Sequence, residues 1–283
     1  MQGTVDGFSY GLVTPVVAYL MACLGGALGL RCTTRSLLVA NSWRMGWFAL
    51  GSAAIGSGIW TMHFIAMMGF SVEGVPIRYD PLTTFASLGV AILMVGIGVF
   101  IVGYKGATGA SLFTGGTITG LGVASMHYLG MAGMRLHGTI SYSTVTVVAS
   151  VVIAMAAATA ALWAAVQVRG IGWSIGASLV MGLAVSGMHY MAMAGVSVHP
   201  HADTAGSPGG DSAAGILAPM LIGPLGFLLL AGVVVMFDPM LVTGRPDWRD
   251  ARAAQDRIGT PAPAVTRLRR PLRGPAQRTP QDW

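Results

Sequence analysis

A tripeptide of methionine, histidine and an aromatic residue occurs three times in the 283-residue sequence. Its histidines are His63, His127 and His189, which lie 64 and 62 residues apart. In every copy one methionine directly precedes the histidine and another follows it four residues later. These methionines are Met62, Met126 and Met188 before the histidines and Met67, Met131 and Met193 after them. Imidazole and thioether groups at a repeated spacing indicate a metal site.

The later methionine of each copy shares a helix face with its histidine, because residues four apart lie on the same side of an α-helix. The earlier methionine lies about 100° around the helix and could reach the site only from the side. Imidazole binds copper, zinc, iron and nickel, whereas a thioether selects soft ions such as Cu(I). Methionine is a poor zinc ligand, and no Asp or Glu lies in the spans that carry the repeat. The donor set therefore favours copper.

Two alternatives to copper stay open at this point. Haem iron accepts both histidine and methionine as axial ligands, although a threefold set exceeds the two axial positions. A purely structural bundle is the other alternative, because duplication of a gene segment would also copy a structural histidine. Against that alternative, an ionisable residue inside a bilayer is costly and is usually functional.

Composition indicates that these residues lie in a membrane. Hydrophobic residues make up 54% of the chain and charged residues only 9%, compared with about a quarter charged in soluble domains. This excludes a soluble enzyme. Seven apolar stretches reach the roughly 20 residues that a membrane span requires. They are residues 10–30, 46–70, 82–104, 111–134, 144–168, 171–196 and 214–237.

Consecutive histidines are one helical hairpin apart, so spans one and two, three and four, and five and six are three copies of one unit. Two helices per unit predict parallel repeats about an axis along the membrane normal. We therefore expect an all-α membrane protein with seven transmembrane helices, built as three two-helix repeats plus one extra helix. The histidines then share one depth, about 10 Å from the outer ends of their helices. Close helix packing is expected at the pairs Gly25 and Gly29, Gly116 and Gly120, and Gly172 and Gly176.

The basic residues set the expected orientation. Fourteen of the sixteen flank the spans on one side and two flank them on the other, which places the basic side in the cytoplasm. The N-terminus is then outside and the C-terminus cytoplasmic. The basic residues between the spans on the cytoplasmic side are Arg31, Arg35, Arg44, Lys105 and Arg169, and those on the outer side are Arg78 and Arg135.

Residues 1–237 form the expected membrane domain, and residues 238–283 form a cytoplasmic tail. Nine arginines between Arg245 and Arg278 and many prolines predict that this tail is disordered. It could contact anionic lipid, whereas nucleic-acid binding is disfavoured because no folded reader accompanies it. Two further histidines, His199 and His201, lie in the predicted outer loop after span six and could capture a metal there.

The triplicated motif resembles the MHYT family of bacterial integral-membrane sensor domains, over nearly all of residues 8–237. The resemblance implies a seven-helix unit of the bacterial cytoplasmic membrane that binds copper and through it senses oxygen, carbon monoxide or nitric oxide. It assigns the motif positions to Met62 and His63, Met126 and His127, and Met188 and His189, followed by the aromatic residues Phe64, Tyr128 and Tyr190. The fourth motif position departs from the threonine of the family and holds Ile65, Leu129 and Met191.

The leading hypothesis is a copper-binding membrane sensor that detects a diatomic gas or redox state. Family members often carry a cytoplasmic signalling domain, and because only about 45 residues follow Asp238, we expect the signal to pass to a separate cytoplasmic protein. The alternative is a copper-handling transporter or chaperone, which would need soft ligands towards the cytoplasm, where only Met45 and Met181 are scattered. We expect no enzymatic activity, because no span pairs a nucleophile with a base or carries two carboxylates.

Overall fold

The structure is a computed structural model, and it describes residues 5–7, 9–36, 38–39, 41–72, 75–167, 171–200 and 213–238. The predicted disorder of the arginine-rich tail and the position of His201 lie outside the described residues. Each of the seven predicted spans is a helix in the structure. The helices are α1 Val13–Ser36, α2 Asn41–Met68, α3 Pro81–Lys105, α4 Gly109–Ala132, α5 Thr144–Gln167, α6 Ile171–Met193 and α7 Ala213–Met236.

Six of the described helices are both long enough and apolar enough to cross a membrane. The exception is α4, which has 24 residues but contains many glycine, serine and threonine residues. These small residues lower its hydropathy and also let it pack closely, since Gly115, Gly116 and Gly120 all lie on buried positions. Among the described helices, the one that carries His127 is thus the one that falls short of the hydropathy of a membrane span.

Short antiparallel strand pairs close the three helical hairpins at one end, a feature that the sequence analysis did not predict. In each hairpin, a strand before the first helix pairs with a strand after the second helix, so the repeat is a β-α-α-β unit. The pairs are β1 Val5–Asp6 with β2 Ser71–Val72, β3 Arg78–Tyr79 with β4 Met134–Arg135, and β5 Gly138–Tyr142 with β6 Val196–Pro200. We call this end of the molecule the histidine end.

Helices α1 to α6 form a closed ring in sequence order, because each packs against the next and α6 packs against α1. Helix α7 lies outside the ring against α2 and α1. An ion pair holds its end to α1, with Arg35 Nε 2.7 Å from Asp238 Oδ2. The opposite end of the ring, where Arg35, Arg44 and Lys105 lie, is called the basic end. Three repeats plus one extra helix is therefore the observed arrangement.

Two of the three predicted glycine pairs pack as expected. An ideal Cβ on Gly25 would lie 2.7 Å from the Gly58 Cα, and one on Gly120 would lie 2.4 Å from the Met155 Cα, so only glycine permits these backbone approaches. The prediction for Gly172 and Gly176 was wrong for the described part of the chain, in which no heavy atom lies within 4 Å of a Cβ at either position. Their spacing alone does not show which face of α6 meets another helix.

Candidate metal centre

Three histidines from three different hairpins meet inside the ring. The Nδ1 atoms of His63, on α2, and His189, on α6, are 3.1 Å apart. His127, on α4, places its Nδ1 3.2 Å from that of His63 and 3.3 Å from that of His189. All three side chains are buried, with at most 2% of their surface exposed. The expected convergence of the three imidazoles is thus observed.

The same backbone hydrogen bond sets the depth of each histidine. A glycine six residues after the histidine accepts a backbone hydrogen bond from a residue one to four positions before the first helix of the hairpin. These bonds run from Ser9 to Gly69, from Asp80 to Gly133 and from Ser143 to Gly195, with N···O distances of 3.0, 2.9 and 2.9 Å. Because the same glycine of each repeat accepts this bond, the three motif helices end level with one another.

A threonine in the first helix of each hairpin packs against the same glycine. Ideal Cβ atoms on the three glycines would lie 2.5, 3.3 and 1.7 Å from a threonine Oγ1. The pairs are Gly69 with Thr14, Gly133 with Thr84 and Gly195 with Thr146. The motif glycines therefore leave room for the preceding helix, and their spacing from the histidines was the sequence signal that could have revealed this role.

Each histidine ring also meets the aromatic ring that follows it edge-on. The centroid distances are 4.6 Å for His63 and Phe64, 4.9 Å for His127 and Tyr128, and 4.9 Å for His189 and Tyr190. The hydroxyl groups of Tyr128 and Ser150, on α5, are hydrogen-bonded at 2.8 Å. Edge-on aromatic contacts favour one ring orientation. The aromatic residue of each motif therefore helps to hold its imidazole in the orientation that faces the other two.

The triangle of Nδ1 atoms cannot be satisfied by hydrogen bonds alone. A neutral imidazole nitrogen either donates a proton or accepts one. Among three mutually close nitrogens of these two kinds, at least one contact joins two donors or two acceptors, which repel each other. A cation at the centre removes the conflict, because it lets all three nitrogens present lone pairs inwards.

The size of the triangle fits a metal ion. With sides near 3.2 Å, its centre lies about 1.8 Å from each nitrogen, close to the ~2.0 Å of a histidine–metal bond. No other group of three or more His, Cys, Asp or Glu residues suited to a metal occurs among the described residues. In a typical metal site, the ring nitrogen that faces away from the metal is hydrogen-bonded. The outward-facing ring nitrogens of this triangle depart from that pattern. The Nε2 atoms of His63 and His127 have no partner in the described part of the chain.

The methionines do not surround the histidines evenly. Met67 and Met193 line a cavity of about 380 Å³ at the histidine end, together with His189. We call it the outer cavity. Met131 is also buried, but it lines a different cavity, beside Met134 and Arg135. The structure thus places two of the three later thioethers beside one cavity and separates the third. The earlier methionines, Met62, Met126 and Met188, are all buried among the helices.

His199 lies in a strand and not in a loop. It is exposed in β6, where it pairs with Thr139 of β5. The alternation of apolar residues in 196–200 was the signal for this strand. Because His201 lies outside the described residues, the predicted capture of a metal by His199 and His201 stays a prediction.

Comparison with known proteins identifies the repeat. The family model described as "Bacterial signalling protein N terminal repeat" matches residues 56–115 and 120–177. This chain belongs to the MHYT family. The two MHYT matches contain His63 and His127, while the third histidine lies outside them. The geometry nevertheless makes His189 equivalent to the other two, since its helix carries the same glycine bond and the same threonine contact.

Curated relatives of this MHYT protein are longer signalling proteins. The bifunctional diguanylate cyclase/cyclic di-GMP phosphodiesterase MucR of Pseudomonas aeruginosa is 33% identical over 82% of this chain and 35% of its own length. The cyclic di-GMP phosphodiesterase NbdA of the same organism is 32% identical over 72% of this chain and 27% of its own. The signaling protein YkoW of Bacillus subtilis is 29% identical over 68% of this chain and 24% of its own length.

The chain spans about a third or less of the length of these relatives. The matched part is the MHYT region, so the enzymatic activities in the names of MucR and NbdA are not assigned to this chain. No solved structure matches it.

Proposed function

We propose that this chain is a copper-binding membrane sensor in which His63, His127 and His189 hold the metal. The observation that carries the proposal is the triangle of buried Nδ1 atoms with sides of 3.1 to 3.3 Å. Copper bound there supplies a redox-active centre that can accept a diatomic gas as a further ligand. The metal and its stimulus are inferred from the donor set and from membership of the MHYT family.

Copper is favoured over the other metals by the surroundings of the triangle. Met67 and Met193 line the outer cavity beside His189, and thioethers select soft ions. Carboxylates, which would favour harder ions, are absent from the six ring helices. Haem is disfavoured, because two axial nitrogens on opposite faces of its iron would be about 4 Å apart, farther than the observed separations.

A copper transporter is disfavoured by the layer directly below the triangle. One turn before each histidine lie Ile59, Val123 and Val185, which are all buried. These aliphatic side chains offer no ligand to a metal. Among the described residues, the thioethers that line the cavity on this side are those of Met181 and Met188, which are too few for a continuous series of soft ligands. The outer cavity therefore serves as the entry route of the metal, and the site is closed on its inner side.

The proposed signal is a change in the packing of the three hairpins that carry the histidines. Because each comes from a different hairpin, a change in the distances between their rings changes the packing of the hairpins. A stimulus shifts this equilibrium only if it binds two helix arrangements unequally. By the positive-inside rule, the basic end lies in the cytoplasm. Helix α4 crosses the membrane together with the other six helices. The change in hairpin packing is detected at the basic end. The names of MucR and NbdA suggest an enzyme of cyclic di-GMP turnover as the receiving protein.

Metal analysis of the purified full chain tests the proposal. We expect a fixed copper stoichiometry in the wild type and its loss when His63, His127 and His189 are all replaced by alanine. His137→Ala is the matched control, because this histidine is exposed between β4 and β5, and it should leave the copper content unchanged. Equal copper in the triple variant and the control would overturn the proposal.

A further inference from the structure

A second cavity lies inside the ring, on the side of the histidine triangle that faces the basic end. Its volume is about 160 Å³, and all six ring helices contribute to its wall. Ile59, Val123 and Val185, the layer directly below the histidines, form part of this wall. We call it the inner cavity. It is distinct from the outer cavity, which is lined by His189.

The wall of the inner cavity offers little to water. Its polar side chains among the described residues are Thr33, Arg44 and Thr119. The Thr33 hydroxyl donates to the Gly29 carbonyl at 2.9 Å, and Arg44 Nη2 donates to the Gly103 carbonyl at 2.5 Å. A buried water needs two to four polar partners, which the Thr119 hydroxyl alone does not provide. The wall therefore favours an apolar ligand over water.

A row of alanines on α5 creates much of the space. Residues spaced by four, three and four positions lie on one face of a helix, and here that face carries only methyl groups. The alanines that line the inner cavity at this spacing are Ala154, Ala158, Ala161 and Ala165. A larger side chain at any of these positions would occupy the cavity, so a single substitution can remove it.

The volume of the inner cavity limits the size of its ligand. An engineered apolar cavity of about 150 Å³ in another protein binds benzene or xenon, and the inner cavity has about 160 Å³. It therefore admits a molecule no larger than benzene and excludes acyl chains and fused-ring hydrocarbons. Diatomic gases are small and weakly polar, and they belong to the class of molecules that fits.

From the volume and the wall we propose that the inner cavity is a second ligand site of the ring, which binds a small apolar molecule such as dioxygen. Dispersion contacts with the aliphatic wall stabilise the bound molecule. Because the wall includes side chains from all three hairpins, the bound molecule favours one packing of the hairpins. A role of this gas in sensing rests on the proposed function, whereas the binding itself does not require the metal.

Xenon NMR of the purified full chain in detergent micelles tests the binding site. We expect a change in the xenon chemical shift that saturates with xenon pressure, above the unsaturable part that dissolved detergent contributes. Ala158→Phe fills the cavity and should abolish the saturable part. Ala160→Phe is the matched control, because Ala160 is exposed on the same helix, and it should bind xenon as the wild type does. Equal saturable binding by these two variants would overturn the inference.

A milder pair of variants keeps the test decisive if Ala158→Phe does not fold. Ala158→Val adds two methyl groups at a wall position and should weaken xenon binding while the helical circular dichroism is retained. Ala160→Val adds the same groups at an exposed position and should leave the binding unchanged. If both valine variants bind xenon as tightly as the wild type, the ligand does not occupy the inner cavity and the inference fails.

Dioxygen can be located directly, because it is paramagnetic and accelerates the relaxation of nearby methyl groups. In metal-free protein under oxygen pressure, we expect the methyl signals of Val123 and Val185, which line the inner cavity, to relax faster. Leu217 and Leu228 are the controls, because they are buried but do not line this cavity, and they should respond less. Ala158→Phe should remove the difference. Equal responses of the four residues in the wild type would overturn the assignment of dioxygen.

The xenon and copper measurements distinguish this inference from the proposed function. The triple histidine variant should lose copper and retain saturable xenon binding, whereas Ala158→Phe should lose xenon binding and retain copper. Saturable xenon binding in a protein that holds no copper would overturn the proposed function and leave the inner site standing. Loss of xenon binding in the triple histidine variant would contradict a site confined to the inner cavity.

Discussion

The Nδ1 atoms of His63 and His189 lie 3.1 Å apart although 126 residues separate them in the chain. Their meeting depends on the closed ring, because α2 and α6 are brought to the same axis by the packing of α1 against both. His127 completes the triangle from α4. Any change that moves one of these three helices along its axis therefore alters the candidate metal site.

Replacing Gly130 with alanine should disturb the site without removing a ligand. An ideal Cβ at this position would lie 2.6 Å from His63 Nε2, so the His63 ring must move. We expect the copper content to fall while the helical circular dichroism is retained. Gly187→Ala is the control, because no atom of the described residues lies within 4 Å of a Cβ there. Unchanged copper in Gly130→Ala would show that the position of the His63 ring is not critical.

The uneven placement of the methionines predicts an uneven response to mutation. Met67 and Met193 line the outer cavity with His189, whereas Met131 lines another one. The double variant Met67→Leu/Met193→Leu should take up Cu(I) more slowly and retain less of it, because leucine keeps the volume but lacks the sulfur. Met131→Leu should behave as the wild type in the same uptake assay. Similar losses in both variants would indicate three equivalent thioethers.

The contact between Gly195 and Thr146 predicts a coupled effect on stability. A Cβ on Gly195 would overlap the Thr146 Oγ1, at 1.7 Å, and overpacking of this kind costs about 1–3 kcal/mol. Gly195→Ala should therefore lower the melting temperature in detergent. Thr146→Ala should restore much of the loss when the two changes are combined, because it removes the overlapping atom. Purely additive losses would show that the two residues do not constrain each other.

Asp80 predicts a dependence of stability on acid pH. The hydroxyl and backbone N–H groups of Thr83 donate to its carboxylate and lower the pKa of Asp80 below its ordinary value of 3.8. The carboxylate thus stabilises the start of α3 at pH values above 3.8, and this contribution is lost as the pH falls through the lowered pKa.

Thermal melts at neutral and acid pH check this dependence on Asp80. Asp80→Ala should have a lower melting temperature than the wild type at neutral pH, because the cap of α3 is missing. Asp80→Asn retains an acceptor that does not titrate, so it should lose less stability than the wild type between pH 5 and about pH 2. The same acid loss in wild type and Asp80→Asn would assign the effect to other carboxylates.

The apolar stretches allowed the sequence to predict the seven helices, and the repeat allowed it to predict the meeting of the three histidines. His63, His127 and His189 each lie seven residues before the end of a predicted span. This places them at equal depth and needs no knowledge of packing. The strand pairs escaped prediction because β1 to β4 have two residues each, too few to show an alternating pattern. The separation of Met131 from Met67 and Met193 depends on side-chain conformation, which spacing does not determine.

The closure of every hairpin by its own strand pair makes the repeat a self-contained unit that contributes one imidazole. A centre built from one residue of each of three equal units is the arrangement that a cyclic homotrimer produces. Joining the units in one chain removes the need for them to be identical, and the units have diverged around the centre. Phe64 stands where the other copies have tyrosine, and Gly130 stands where they have alanine. The covalent trimer can thus adjust each of its three ligands separately, which an assembly of identical subunits cannot do.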